Sequence, residues 1–267
     1  MQGLRNCGNN CYVNTIVQAL RYSKPVVLRL VAVVAEDEFV SAFCNILYQG
    51  CSDIDAVLGS MRRIGMDPYV QSDAHEFFLS SMNYLYDRLP DHLPERGETV
   101  STLRCTRESC GRELVNREKM LSVSINGTGV LEGLSQYERV ERVESTCDRC
   151  GAETMAKTLA IVPGDLWVVH LKRFTGDCKL HYEVSVPLEL TRHRRRWKLV
   201  AVCNHFGNMY AGHYTTLACT DSGWCVFNDE RVTHVDGVPE SSRVPYLLFY
   251  TLTPCVTPCV TPTTPEC

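Results

Sequence analysis

Residues 3–14 read Gly3-Leu4-Arg5-Asn6-Cys7-Gly8-Asn9-Asn10-Cys11-Tyr12-Val13-Asn14. The turn sequence Gly8-Asn9-Asn10 leads into a helical pattern of apolar residues, which predicts Cys11 at the first turn of a helix over residues 12–22. A helix N-terminus favours the thiolate, the nucleophilic form of cysteine. The alternative is that Cys11 is a small buried apolar side chain, because the chain has 15 cysteines. The local sequence favours the nucleophile.

A candidate general base lies near the other end of the chain, in Gly212-His213-Tyr214. Asp221-Ser222-Gly223 is predicted to close a hairpin between this segment and Trp224-Cys225-Val226-Phe227-Asn228-Asp229. The hairpin would bring His213 to Asn228. A thiol nucleophile needs a base, and the base needs an orienting side chain. Cys11, His213 and Asn228 are therefore candidate catalytic residues, although a lone histidine is more often structural and the chain has eight.

The composition limits the classes of protein that are possible. The chain has 267 residues, 45% of them hydrophobic, which is enough for one large domain or two small ones. A net charge of −4 and a pI near 6.1 do not indicate a nucleic-acid-binding protein. One basic run at residues 192–196 is interpreted as a solvated strand end or loop, with a docking or nuclear-import patch as the alternative.

The cysteines and the N-terminal residues indicate a reducing compartment. Fifteen is an odd number of cysteines, and a secreted disulfide scaffold is normally shorter than this chain. Residues 1–6 contain no apolar signal segment. The most apolar stretch, residues 26–35, is too short to span a bilayer and contains Arg29. We therefore expect a cytoplasmic or nuclear protein with no membrane association.

The hydrophobic pattern predicts helices first and strands afterwards, which is an α+β fold. Helical spacing occurs in residues 12–22, 41–48, 52–63 and 73–89. Strand patterns occur in residues 99–103, 121–125, 154–160, 165–174, 198–203, 214–219, 224–227 and 246–251. Residues 253–267 are rich in proline, threonine and cysteine, and this composition predicts a disordered tail.

Two cysteine pairs have the spacing of a structural metal site. Cys105 and Cys110 enclose four residues, Cys147 and Cys150 enclose two, and a glycine follows each pair. Two cysteine pairs separated by a long insert are the usual form of a four-cysteine zinc site. Zinc would hold together a β-rich extension with little core of its own. A redox or purely structural role for these cysteines is the alternative.

Four blocks of the sequence together resemble the ubiquitin-specific proteases, a family of papain-like cysteine deubiquitinases. The first block is residues 3–14 followed by Gln18-Ala19-Leu20. The second is Val70-Gln71-Ser72-Asp73-Ala74-His75-Glu76-Phe77-Phe78, and the third is Trp167-Val168-Val169-His170-Leu171-Lys172-Arg173-Phe174. The fourth joins His205-Phe206-Gly207, Gly212-His213-Tyr214, residues 224–229 and Tyr246-Leu247-Leu248-Phe249-Tyr250. The blocks occur in the family's order and span nearly the whole chain.

The resemblance implies a papain-like fold in which a helical thumb and a β-rich palm enclose the catalytic cleft, with fingers extending from them. We expect one catalytic domain at residues 1–252, with the thumb at 1–95, zinc-bearing fingers at 96–160 and the palm at 161–252. The chain departs from the family pattern at Asn10, where threonine is usual. It also departs in the first cysteine pair, which encloses two extra residues.

The resemblance also implies roles for individual residues. Cys11 would be the nucleophile, His213 the base and Asn228 the orienting residue, with Asp229 assisting and Asn6 donating to the oxyanion. Contacts to the C-terminal tail of ubiquitin are expected from Gln71, Asp73, Glu76, His205, Gly212 and Tyr214. The two carboxylates suit the arginines of that tail, and they equally suit a helix N-cap and first turn. Structural zinc is expected at Cys105, Cys110, Cys147 and Cys150.

These roles predict a thiol-dependent deubiquitinase that hydrolyses the isopeptide or peptide bond after the C-terminal glycine of ubiquitin. We expect a monomer whose partners are ubiquitin or ubiquitinated proteins. A protease for another ubiquitin-like modifier, such as an interferon-induced one, is an alternative because such modifiers share the Gly-Gly tail. A ubiquitin-binding scaffold with little activity is a second alternative. A zinc-ribbon interaction module is a third, but it leaves the segments around Cys11 and His213 unexplained.

Overall fold

The computed structural model describes residues 1–30, 33, 35–48, 53–176, 178–208 and 211–254. Within these ranges the α-helices are α1 (Cys11–Arg21), α2 (Lys24–Leu30), α3 (Glu38–Tyr48), α4 (Ile54–Ser60), α5 (Ala74–Arg88) and α6 (Val130–Tyr137). Most of the predicted tail, from residue 255 onward, lies outside the described residues. None of the helices described combines the length and the apolar character needed to cross a membrane.

The helical pattern of the sequence matches α1, α3 and α5 closely. The helix predicted over residues 52–63 is wrong at its C-terminal end, because Met61–Ile64 forms a 3₁₀ turn. Gly65 ends this turn with a φ of 76°, a conformation that glycine adopts without strain. Helix α2 was not predicted; its Pro25 lies in the first turn, where proline is tolerated.

The strands follow α5 along the chain, as the pattern predicts. They are β1 (Gly97–Cys105), β2 (Glu113–Met120), β3 (Ser122–Ile125), β4 (Glu141–Glu144), β5 (Thr154–Val162), β6 (Leu166–Leu171), β7 (Phe174–Thr175), β8 (Cys178–Lys179), β9 (Val184–Ser185), β10 (Glu189–Arg192), β11 (Arg195–Gly207), β12 (Gly212–Thr220), β13 (Gly223–Asn228), β14 (Arg231–Val235), β15 (Ser241–Ser242) and β16 (Pro245–Leu252). β2 and β4 were not predicted because their polar, largely exposed residues give no strand periodicity.

Two larger sheets organise these strands. The fingers sheet has the order β2-β1-β5-β4, and all of its pairs are antiparallel. The palm sheet has the order β14-β13-β12-β11-β16-β6-β3, with β10 paired to one end of β11. β3 lies in the segment predicted as fingers, yet it pairs in parallel with β6, with Val123 opposite Val169. The strands β9 and β15, and likewise β7 and β8, form short separate pairs.

The palm sheet separates two apolar cores. Ala201 and Cys203 belong to a core shared with the thumb helices, whereas Val202 between them belongs to a core on the opposite face. This alternation is the two-residue period of a strand that is covered on both faces. Helix α1 lies in the first core, and all its residues before Arg21 are buried. The start of α1 is therefore held between the thumb and the palm.

Candidate active site

Cys11 is the first residue of α1, and only 4% of it is exposed. The predicted position at a helix N-terminus is confirmed. The pKa of the thiol is nevertheless raised, because burial outweighs the backbone N–H groups that point to the sulfur. One of these N–H groups belongs to Tyr214, the residue after His213. The thiol is thus protonated at neutral pH, and forming the thiolate requires a base.

The hairpin of β12 and β13 brings the candidate base to its partner. Its predicted turn is present, and Thr220 pairs with Gly223 across it. His213 Nε2 lies 2.7 Å from Asn228 Oδ1, which is the predicted contact. An amide oxygen only accepts hydrogen bonds, so Nε2 carries the proton of the neutral ring. The other ring nitrogen, Nδ1, is then the one that can take a proton from the thiol.

The carboxylate of Asp229 joins the thumb to the palm. Its Oδ2 accepts a hydrogen bond from Asn6 Nδ2 at 2.8 Å, and its Oδ1 accepts one from Asn14 Nδ2 at 2.8 Å. The same carboxylate lies 3.8 Å from His213 Nε2. Asn6 was predicted to donate to an oxyanion, and the second N–H of its amide is not used in the bond to Asp229. Asp229 therefore fixes the segment before Cys11 relative to the strand pair that carries His213.

The backbone reinforces this junction. Leu4 N donates to the Asp229 carbonyl oxygen at 2.9 Å. A Cβ atom at Gly3 would collide with the carbonyl oxygens of Asp229 and Glu230, so glycine is required where the two backbones meet. Asp229 itself adopts a left-handed conformation with a φ of 51°, which turns the chain after Asn228. The N-terminal segment thus lies directly against the end of β13.

Sequence reasoning missed the contribution of Asn10 and Asn14. Both side chains are buried, with 1% and 3% exposed. Asn10 Nδ2 donates to Asn14 Oδ1 and to the Arg5 carbonyl oxygen at 3.0 Å each, and Asn10 Oδ1 accepts from Cys7 N at 2.6 Å. The available signal was their spacing of four residues, which places the N-cap Asn10 and Asn14 on one face at the start of α1. The asparagine that replaces the usual threonine thus binds the loop before Cys11.

A cavity of about 430 Å³ opens beside His213. Five of the six residues predicted to bind the substrate tail line it: Gln71, Asp73, His205, Gly212 and Tyr214. Glu76 is exposed on the first turn of α5 and is not among the lining residues. The cavity also contains the guanidinium-bearing Arg173 and the aromatic Tyr246 in its wall.

Asp73 is both the N-cap of α5 and a wall of this cavity. Its Oδ1 accepts from His75 N at 2.7 Å and from Glu76 N at 3.1 Å, as a capping residue does. Its Oδ2 accepts from the hydroxyls of Tyr246 at 2.5 Å and Tyr214 at 3.3 Å. Burial and the neighbouring carboxylate raise the pKa of both tyrosines, so both remain neutral donors. The Asp73 carboxylate therefore caps α5 with one oxygen and binds the tyrosines of the cavity wall with the other.

The end of β11 and the start of β12 are each held by a side chain from another segment. Gln71 Nε2 donates to the Gly212 carbonyl oxygen at 2.9 Å, which links the thumb to this turn. A Cβ atom at Gly212 would collide with the His205 ring, so the missing side chain makes room for that ring. Lys179 Nζ donates to the carbonyl oxygens of His205 at 2.6 Å and Gly207 at 3.2 Å. Burial lowers the pKa of Lys179 to about 8.

The four predicted metal ligands meet at the tip of the fingers sheet. The sulfur atoms of Cys105, Cys110, Cys147 and Cys150 all lie within 4.8 Å of one another. Two of the separations are 3.5 Å (Cys105–Cys150) and 3.7 Å (Cys110–Cys147). A tetrahedral zinc ion with Zn–S bonds of 2.3 Å places its ligands about 3.8 Å apart. The donor set and its spacing therefore fit zinc.

The two loops that carry these cysteines are alike. Gly111 and Gly151 end them with φ values of 60° and 69°, as the glycine after each pair predicted. Arg112 donates to both carboxylate oxygens of Asp148 at 2.9 and 2.7 Å, which links one loop to the other. Backbone N–H groups, that of Arg149 first, lower the pKa of Cys147 to about 7. In the same cluster the pKa of Cys110 is raised, first by burial, so the four thiols are not equally acidic without a metal.

Comparison with known proteins places this chain in a family. The sequence model of the ubiquitin carboxyl-terminal hydrolase family matches residues 2–250. Ubiquitin carboxyl-terminal hydrolase 20 of Arabidopsis thaliana is 27% identical over 93% of this chain and 43% of its own length. Ubiquitin carboxyl-terminal hydrolase 21 of Rattus norvegicus is 31% identical over 58% of this chain and 32% of its own length. The chain thus spans less than half the length of these two relatives.

Solved structures support the same fold. A chain of the SAGA DUB module Ubp8/Sgf11/Sus1/Sgf73 bound to monoubiquitin superposes with a TM-score of 0.77 and 22% identity, covering 95% of this chain and 69% of that one. A module of the same composition bound to ubiquitin aldehyde gives a TM-score of 0.76 and 22% identity, covering 95% and 70%. The predicted α+β, papain-like architecture of thumb, palm and fingers is confirmed. The chain belongs to the ubiquitin carboxyl-terminal hydrolase family.

Proposed function

We propose that this chain is a thiol-dependent deubiquitinase that hydrolyses the isopeptide or peptide bond after the C-terminal glycine of ubiquitin. The observation that carries the proposal is the 2.7 Å contact between His213 and Asn228 beside the buried Cys11 sulfur. The cavity lined by Gly212 and Tyr214, the two neighbours of His213, offers a path for an extended peptide tail. The family of the chain and the ubiquitin-bound state of its structural neighbours support this substrate.

In the first half of the reaction Cys11 becomes acylated. His213 Nδ1 takes the thiol proton, and the sulfur attacks the carbonyl carbon of the terminal glycine to form a C–S bond. The carbonyl oxygen becomes an oxyanion, and the free N–H of Asn6 together with the Cys11 backbone N–H stabilises it. The oxyanion then collapses, the C–N bond breaks, and His213 gives its proton to the leaving amine.

In the second half of the reaction, water hydrolyses the thioester and frees Cys11. His213 takes a proton from the water molecule, whose oxygen attacks the thioester carbon, and the same two N–H groups stabilise the second oxyanion. The C–S bond breaks, and Cys11 recovers its proton from His213. Asn228 keeps Nε2 protonated throughout, so that Nδ1 faces the chemistry. Asp229 acts on the same ring at 3.8 Å and holds Asn6 in place.

The tail of ubiquitin binds along the cavity. We propose that the exposed Glu76 meets an arginine of the tail at the rim, while Asp73, already bonded to two tyrosines, shapes the cavity wall. Gln71, His205 and the neighbours of His213 complete the channel. Burial lowers the pKa of His205 to about 4, so this side chain contributes a neutral ring and no charge.

A structural zinc ion at Cys105, Cys110, Cys147 and Cys150 belongs to the proposal. When bound, zinc supplies a cross-link between the loop after β1 and the loop before β5, and it takes no part in the hydrolysis. The described cysteines are all free thiols, which supports a reducing compartment, and we place the protein in the cytoplasm or nucleus. We propose that the chain acts as a monomer on ubiquitin or ubiquitinated proteins.

Parallel labelling tests the function. Wild type and Cys11→Ala are incubated with ubiquitin and with an interferon-induced modifier, each carrying a C-terminal thiol-reactive group. An adduct that forms with ubiquitin and requires Cys11 is the expected result. An adduct with the other modifier alone would keep the mechanism and change the substrate. No adduct with either would overturn the enzyme proposal and favour a ubiquitin-binding scaffold.

A further inference from the structure

Lys179 is a buried lysine that the proposed reaction does not use. It is the last residue of β8, and only 8% of it is exposed. Its ammonium group bonds to two backbone carbonyl oxygens, and no carboxylate of the described residues forms an ion pair with it. Burial and the nearby Arg173 lower its pKa to about 8, so the amine still carries its charge at pH 7. A buried charge is costly unless its hydrogen bonds are made, so the two carbonyl contacts are what keeps Lys179 in this position.

The two acceptors lie at the end of β11, where the neighbouring strand stops. The pairing of β11 with β16 ends at Pro245, the first residue of β16, which has no backbone N–H to donate. His205 N donates at 2.8 Å to the carbonyl oxygen of the residue before Pro245, so the backbone of His205 faces this unpaired side. Lys179 Nζ supplies the missing donor there, to the carbonyl oxygens of His205 at 2.6 Å and Gly207 at 3.2 Å.

The strand end that Lys179 holds belongs to one wall of the cavity beside His213. His205 lines this cavity, and so does Gly212, which pairs with Gly207 where β12 begins. A Cβ atom at Gly212 would collide with His205 Nε2, so the ring packs closely against the start of β12. A shift of the β11 end would therefore change the width of the cavity.

The short strand pair that carries Lys179 contributes to the same wall. Lys179 is opposite Phe174 in the pairing of β7 with β8. Phe174 also lines the cavity, and its ring centroid lies 5.2 Å from that of His205. Arg173, the buried residue before it, donates to the Pro245 carbonyl oxygen at 2.6 Å. The pair β7–β8 is thus fixed to the start of β16, and Lys179 extends this support to the end of β11.

We propose that Lys179 is a positioning residue for the tail of ubiquitin, and that its ammonium group holds the end of β11 in the conformation that admits the tail. The inference rests on the proposed function, because the tail is proposed to bind in this cavity. The hydrogen bonds of Lys179 go to backbone atoms of β11 and not to Cys11, His213 or Asn228. Lys179 therefore acts on binding of the tail, and bond cleavage does not depend on it directly.

Ubiquitin binding to the Cys11→Ala protein tests this role without turnover. Calorimetry gives the dissociation constants of intact ubiquitin and of ubiquitin truncated before its tail, each measured with Lys179 and with Lys179→Met. Methionine keeps a long unbranched side chain and removes the donor group. Because two buried, charge-assisted hydrogen bonds are lost, we expect Lys179→Met to weaken binding of intact ubiquitin roughly tenfold. Binding of the truncated form should be nearly unchanged, because it does not enter the cavity.

Two further variants separate positioning from stability. The ratio of the two dissociation constants does not depend on the fraction of folded protein, so partial unfolding of Lys179→Met leaves the comparison valid. Lys179→Gln removes the charge but stays polar, and it carries the same comparison if Lys179→Met does not fold. Lys198→Met is the matched control, because Lys198 is an exposed lysine on β11 that pairs with Glu189 at 3.7 Å. It should bind both forms as the Cys11→Ala protein does.

The outcomes distinguish this role from the proposed function. A loss of affinity confined to intact ubiquitin supports a role of Lys179 in binding the tail. Equal losses with both forms, or no loss with either, would overturn that role and leave the proposed function intact. Failure of the Cys11→Ala protein to bind intact ubiquitin would contradict the proposed substrate itself, and the role of Lys179 would be overturned with it.

Discussion

Cys11 and the four-cysteine cluster of the fingers show two different ways of holding a thiol in place. Cys11 lies in an apolar core that contains most of the thumb and one face of the palm, and the amide network of Asp229 fixes its surroundings. The buried Cys105, Cys147 and Met155 belong to neither apolar core. Every residue of β2 before Met120 is exposed. The fingers therefore have little packing that could hold four sulfur atoms together.

This difference indicates where each site obtains its stability. The cleft has its geometry before any ligand binds, because packing and hydrogen bonds between distant segments supply it. The cluster in the fingers would obtain its stability from the proposed zinc ion, since zinc binding in small domains contributes about 10–16 kcal/mol of apparent folding free energy. A change at Cys11 should thus alter chemistry and leave the fold, whereas a change at a finger cysteine should alter the fold.

The same substitution at the two sites tests this directly and has the largest expected effect. Cys11→Ser should abolish turnover of a fluorogenic ubiquitin substrate, because a serine hydroxyl is a much weaker nucleophile beside this base. Its melting temperature should match that of wild type. Cys147→Ser should release zinc and unfold the fingers sheet, which hydrogen exchange over β1, β2 and β5 would report.

Cys178→Ser is the matched control, since Cys178 is an exposed thiol that belongs to neither site. It should leave turnover, zinc content and exchange unchanged. If Cys147→Ser kept the exchange protection of the fingers sheet, the sheet would be stable without its metal, and the comparison between the two sites would fail.

The amide network that holds the cleft should be the next most sensitive feature. Asn14→Ala removes one of the two side-chain donors to Asp229 and leaves Asn10 Nδ2 without its partner on α1. We expect kcat to fall by about 10-fold to 100-fold with KM little changed, somewhat less than the 10²–10³ lost with an oxyanion donor. Steady-state kinetics on a ubiquitin substrate separate the two parameters.

A control on the same helix separates positioning from stability. Thr15→Val removes the buried hydrogen bonds of Thr15 Oγ1 to the Thr215 carbonyl oxygen at 3.1 Å and to Thr216 Oγ1 at 2.8 Å, without touching Asp229. It should lower the melting temperature and leave kcat nearly unchanged. Equal losses of kcat in Asn14→Ala and Thr15→Val would mean that Asn14 acts through stability alone.

The part of the site that sequence reasoning reached is the part with local signals. The turn before Cys11 and the hairpin that brings His213 to Asn228 are both encoded within short segments, so their geometry follows from turn chemistry. The bond between Asn14 and Asp229 joins residues far apart in the chain, and no local pattern indicates it. No local pattern indicates the hydrogen bond from Lys179 Nζ to the His205 carbonyl oxygen either, because a backbone acceptor has no sequence signature.

As with the site, the parts of the fold that have a local sequence signal were predicted, and the other parts were not. Strands covered by apolar residues on both faces, such as β6, give a strong signal, and the pattern predicted them. The exposed strand β2 gives none, because its stability comes from pairing with β1 and not from burial of its own side chains. The raised pKa of Cys11 was also missed, since the depth of a thiol in the core depends on the packing of distant segments.

The protonation state of Cys11 predicts a smaller effect, a gradual rise of thiol reactivity with pH. Because burial raises the pKa of the thiol, the free enzyme holds little thiolate at pH 7, and the thiolate fraction grows about tenfold per pH unit below the pKa. The rate of alkylation by iodoacetamide, followed on the Cys11 peptide by mass spectrometry, should therefore rise steadily from pH 6 to pH 9. A rate already constant at pH 6 would indicate a preformed thiolate–imidazolium pair and contradict this expectation.

The smallest effect is expected at Tyr246, because a second tyrosine donates to the same carboxylate oxygen of Asp73. Tyr246→Phe removes one hydroxyl donor to Asp73 Oδ2, but Tyr214 still donates to the same oxygen. A net hydrogen bond contributes about 1 kcal/mol, so KM for ubiquitin should rise only a few-fold with kcat unchanged. Combining it with Tyr214→Phe leaves Oδ2 without either hydroxyl, and the double variant should lose more than the sum of the single losses. Strict additivity would mean that the two tyrosines do not substitute for each other, and the cleft would then be as intolerant of single losses as the fingers.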